Sequence, residues 1–172
     1  MTSRVRLAAL IIALLACNTA YYIVAGRLSE ALESVAWYAL LILFMLETMH
    51  GPHALSARAL AVNHGLRLLA TMAIAASAVL YVREKEWLDA INLFLWITVV
   101  ALLEIEIRFS AAVAAHRKFF TRSAALLYAT LGVLVFVWLD SGKWMNAWDA
   151  TLWLTAFGLL ELDLMQKSNN IV

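Results

Sequence analysis

The chain of 172 residues is 65% apolar and only 15% charged, with a single proline, a mean hydropathy of +0.83 and a formal net charge of +1. So few polar side chains cannot cover a water-soluble globule, and so balanced a charge excludes a global attraction to nucleic acid. An integral membrane protein is the class that fits.

Residues 7–25 carry no charge over 19 positions, enough for a helix to cross a hydrocarbon core of roughly 30 Å. Further apolar segments follow at 34–49, 66–82, 88–107, 123–139 and 144–165. They predict an all-α fold of six transmembrane helices forming one domain over residues 1–172. A β-barrel is disfavoured because these runs are continuously apolar and longer than the ~10-residue alternating segments of barrel strands. Leu14, Leu15, Ala16 and Cys17 resemble a lipoprotein cleavage box, but the uncharged run continues through Val24, so the first span is expected to be retained. As the only cysteine, Cys17 forms no internal disulfide.

Basic residues set the expected orientation. Arg4, Arg6, Arg58, Arg67, Arg108, Arg117, Lys118, Arg122 and Lys167 fall on the amino-terminal side of the spans, whereas only Arg27, Arg83, Lys85 and Lys143 fall on the other. The positive-inside bias then puts both termini in the cytoplasm, with a bacterial cytoplasmic membrane as the expected location. Trp87, Trp144 and Trp148 are expected at the outer interface, which suits amphipathic rings.

A shift of 57 residues lays 87–104 over 144–161 with eight of 18 positions identical, Trp96 on Trp153 and Glu104 on Glu161 among them. Glu106 then meets Asp163, and Asn92 meets Asp149. A second shift by 57 brings Glu104 onto Glu47, the first copy otherwise matching only in hydrophobicity. The sequence thus reads as three tandem helical hairpins, about 1–57, 58–114 and 115–172, in a pseudo-threefold arrangement about the membrane normal.

In that arrangement Glu47, Glu104 and Glu161 share one level near the cytoplasmic surface. An acid in the last turns of a helix opposes the macrodipole, and an acid just inside the apolar zone demands a partner. Recurrence against both costs points to function. An ion pathway would use these three glutamates with Glu106 and Asp163 as a second layer, and Asp89, Asn92 and Asp149 at the outer mouth, joined through Thr98 and Thr155. The competing account is structural, because Arg6, Arg67 and Arg122 in the first turns of the odd-numbered helices can pair with the glutamates.

All four histidines, His50, His53, His64 and His116, fall on the same side, and Glu47 with His50 has the i, i+3 spacing that shares a helix face. Glu47, His50, His53 and His64 are therefore the candidate metal site, and a bound cation is the only cofactor expected. Odd-numbered spans are alanine-rich, predicting close packing, while Trp37, Trp96 and Trp153 mark the even ones as an aromatic stripe expected to pack, with part of each even helix turned toward lipid or a partner subunit. Neither a phosphate loop, a cysteine cluster nor a nucleophile elbow is present, so enzymatic activity is not expected.

Two functions follow from these residues. One is a cation channel or transporter with a cytoplasmic carboxylate cluster. The other is a non-catalytic membrane scaffold or accessory subunit held by Glu–Arg pairs. The expected partners are the lipid bilayer and a further copy or a partner membrane subunit.

Overall fold

The computed structural model describes the backbone of residues 3–50, 56–109, 113 and 115–169, and within these all side chains except those of 3–5, 8, 47–50, 57, 106–108 and 160–169. Among the described residues the secondary structure is helical throughout, with no strand. Six long helices run in order: α1 (Ser3–Ala25), α2 (Leu28–His50), α3 (Ala57–Glu84), α4 (Trp87–Arg108), α5 (Arg117–Asp140) and α6 (Trp144–Asn169). Among the described residues four stretches are long and apolar enough to cross a membrane: Leu28–Leu46, Arg58–Glu84, Trp87–Ile105 and Arg117–Asp140. In α1 the apolar stretch, Ala9–Ala25, is shorter. The expected sixth span, 144–165, extends into residues whose side chains lie outside the description.

Local chemistry explains where the helices begin and end. The backbone N–H of Arg27 donates to Glu30 Oε2 at 2.8 Å, which caps α2 and lets it start six residues before the expected apolar segment. Ser56 caps α3 by accepting from the Ala59 N–H at 3.2 Å. At the end of α3, Glu86 N–H bonds Tyr81 O and Lys85 N–H bonds Val82 O, with Lys85 left-handed at φ 61°. The end of α5 repeats this Schellman pattern through Lys143 to Trp138 and Gly142 to Leu139, with Gly142 at φ 76°.

The chain divides into two compact units, Ile12–Trp87 and Met1–Ile11 with Leu88–Val172. In the first, α2 packs along α3, and Leu15, Tyr22, Ala36, Ile74, Ala78 and Tyr81 are buried. Ser34 donates to Thr19 at 3.0 Å, tying α2 to α1. In the second, α5 packs along α6, where Leu134 and Trp138 meet Ala147 and Ala150, with Leu88 and Leu95 of α4 against them. Small residues at that contact let the backbones approach, which is how helices associate where lipid supplies no hydrophobic drive.

The alanines and tryptophans divide between interior and surface. On the odd helices Ala70 and Ala78 are buried and Ala16, Ala73 and Ala124 half-buried, while Ala9, Ala13, Ala75, Ala76, Ala125 and Ala129 are exposed. Conversely Trp96 and Trp153 are buried, both against Phe157 with ring centroids at 5.0 and 6.2 Å. A small side chain gives a helix the option of close approach, but the large ring has more surface to bury and takes the interior. Trp87, Trp144 and Trp148 are exposed in the first two turns of α4 and α6.

Candidate functional site

Glu104 is the glutamate of the expected ring whose side chain is described. It is exposed, yet it stands eleven residues beyond Leu93, three turns along the same face of α4, and Leu93 is fully buried at 0% exposure. Positions 47 and 161 stand in the same relation to the buried Ala36 and Ala150. The side chains of Glu47, Glu106, Glu161 and Asp163 lie outside the described residues, as do those of His50 and His53. His64 is exposed on α3. Among the described residues no group of three His, Cys, Asp or Glu side chains is placed to hold a metal ion. Arg6 and Arg122 are exposed and Arg67 is half-buried.

At the other ends of the helices, Asn92 and Asp149 are half-buried, and the buried Asn92 Oδ1 accepts no hydrogen bond among the described residues. Thr98 and Thr155, expected along an interior route, are exposed. Their hydroxyls donate to Phe94 O and Thr151 O of their own helices at 2.8 and 2.7 Å.

The most connected polar groups lie at these same ends, and of them the sequence had singled out only Asp89 as a functional candidate. In the unit Ile12–Trp87, the Arg27 guanidinium meets three carboxylates: Glu86 at 2.6 Å, Glu30 at 2.7 Å and Glu84 at 3.8 Å. Ser29, fully buried, donates to Glu84 at 2.6 Å, and Tyr81 Oη donates to Glu33 at 2.5 Å. One arginine thus joins the α1–α2 turn to the α3–α4 turn. The arginine and two of the acids are about one-third exposed, so solvent screens each pair and the gain per pair is modest.

In the other unit the buried acid is Asp89, 3% exposed. It accepts from Asn146 Nδ2 at 3.0 Å and faces Lys143 Nζ at 3.5 Å. The positions involved correspond from helix to helix. Immediately before α2, α4 and α6 stand Arg27, Glu86 and Lys143; third in each helix stand Glu30, Asp89 and Asn146; sixth stand Glu33, Asn92 and Asp149. Fourth is always alanine (Ala31, Ala90, Ala147) and tenth always tryptophan (Trp37, Trp96, Trp153). The signal that could have found these groups is present in the sequence, an acid or amide three residues before another at the head of each even-numbered helix.

No protein family, no curated protein and no solved structure matches the chain. Among the described residues, fold and site together define an all-helical protein with four helices long and apolar enough to span a membrane and acid–amide clusters at helix ends.

Proposed function

We propose that this chain is a cation channel or transporter, held in the membrane by three tandem helical hairpins with both termini on the cytoplasmic side. The carboxylates at the far ends of α2, α4 and α6 are its cation-handling groups. The observation that carries this reading is Glu104: the face of α4 that is sealed at Leu93 is open three turns later and bears an acid there. An accessible carboxylate in line with a packed helix face is what a cation meets on entering a helical bundle.

The helix starts refine the register of the first hairpin. Leu28 opens α2 59 residues before Trp87 opens α4, while Trp144 opens α6 57 residues after it. With these offsets Ala31, Trp37, Leu43 and Glu47 align with Ala90, Trp96, Leu102 and Glu106. Glu47 then belongs with Glu106 and Asp163 at the twentieth position, and Glu104 with Glu161 at the eighteenth. In this register we assign the acids to two layers rather than one ring.

Reconstitution of the purified chain in vesicles and measurement of cation flux tests the reading. Glu104→Gln and Glu106→Gln are expected to lower flux severalfold while the protein still inserts; absence of flux in the parent protein, or unchanged flux in both variants, overturns it. The second reading, a scaffold or accessory subunit, is favoured by the Arg27 cluster, where acids are gathered around an arginine. It predicts a silent parent protein whose stability falls on Arg27→Gln.

A further inference from the structure

Away from the carboxylates, the head of α5 is cationic. Arg117, Lys118 and Arg122 are all exposed, exposed His116 precedes them, and the first turn contains no acid. Among the described residues none of these three side chains meets a carboxylate. Together with Phe119, Thr121 and Leu126 they line a wide, shallow groove of about 1010 Å³ whose described lining comes entirely from residues 115–126 along the head of α5.

The groove has two kinds of wall. Its cations cluster within six residues, whereas Phe119 and Leu126 are 66% and 69% exposed, Leu126 one turn further along a helix apolar enough to cross a membrane. Membrane topology asks only for basic residues near helix ends; it does not ask for a shared groove with an apolar floor. A free anion would use the cations and leave Phe119 and Leu126 uncovered. A lipid uses both, with the headgroup on the cations and an acyl chain on the rings and methyls below.

We propose that this groove binds the headgroup of an anionic phospholipid, its phosphate held by Arg117, Lys118 and Arg122 and its chain lying over Phe119 and Leu126. The site rests on the membrane reading but not on cation transport.

The test is lipid retention by the purified full chain in neutral detergent, read by native mass spectrometry with phosphatidylglycerol against phosphatidylcholine. Phosphatidylglycerol should be retained preferentially, each of Arg117→Gln, Lys118→Gln and Arg122→Gln should lower that retention about fivefold, and Arg58→Gln, at an exposed arginine on α3, should leave it unchanged. Equal retention of the two lipids, equal loss in Arg58→Gln, or displacement of the lipid by excess inorganic phosphate overturns the site. A chain that stays folded and monomeric in water without detergent overturns the membrane reading as well; insertion into vesicles without lipid preference overturns the groove alone.

Discussion

Asn146 donates its amide N–H to Asp89 at 3.0 Å across a sequence separation of 57 residues, each being the third residue of its helix. Lys143, the residue before α6, approaches the other carboxylate oxygen. A carboxylate as buried as Asp89 is tolerated only when its oxygens are satisfied, so this contact holds the head of α4 to the head of α6.

Removing that satisfaction is costly. Asn146→Leu deprives the buried carboxylate of a donor and should lower stability by about 1–3 kcal/mol. Asn146→Asp sets a second acid against it and should cost more. Lys143→Gln should cost less than either, because the lysine is 35% exposed and solvent already weakens its pairing. Thermal unfolding in detergent, followed by circular dichroism, ranks the three.

The Arg27 cluster predicts a salt-dependent effect in the other unit. Arg27→Gln leaves Glu30, Glu84 and Glu86 facing one another without their cation. The expected loss is about 1–2 kcal/mol at low salt and less as salt rises, because these partly exposed charges are screened. A deficit independent of ionic strength would show that the arginine acts by packing instead.

Two turn substitutions should move stability in opposite directions. Lys85 adopts the left-handed conformation at the end of α3 that Gly142 adopts at the end of α5. Lys85→Gly should therefore be neutral or stabilising by up to about 1 kcal/mol, relieved strain outweighing the added freedom of the unfolded chain. At Gly26 a Cβ would stand 2.7 Å from the backbone oxygen of Tyr22, so Gly26→Ala should destabilise the α1–α2 turn. Melting temperatures of the two variants, measured side by side, check both signs.

Ala147 is 1% exposed and packs against Trp138. Ala147→Leu should push α5 and α6 apart and cost about 1–3 kcal/mol, while a leucine at exposed Ala125 should be nearly neutral. Proteolysis in detergent micelles, which reports opening of the α5–α6 contact, should separate the two.

The helices were legible in the sequence because long uncharged runs dominate it, and their ends were misjudged where charges had hidden partners. Glu30 and Glu33 read as the flank of a span beginning at 34, yet α2 begins at Leu28, since Arg27 caps it through Glu30 and Tyr81 takes up Glu33. No count of charges in a window reveals that Arg27 reaches Glu86 across 59 residues. The glutamates stood out because they interrupt apolar runs. At the opposite ends Asp89, Asn92 and Asp149 were legible as polar groups of an outer mouth, but Asn146 was not, and only the folded chain brings it onto Asp89.

In α4 and α6 the acid and the amide trade places, aspartate third and asparagine sixth in one, asparagine third and aspartate sixth in the other. Two identical helices meeting through equivalent positions would be forced to confront like with like, aspartate on aspartate. Joined in one polypeptide, corresponding positions are free to differ, and a repulsive encounter becomes a donor facing an acceptor. Perfect symmetry would forbid the very contact that joins α4 to α6.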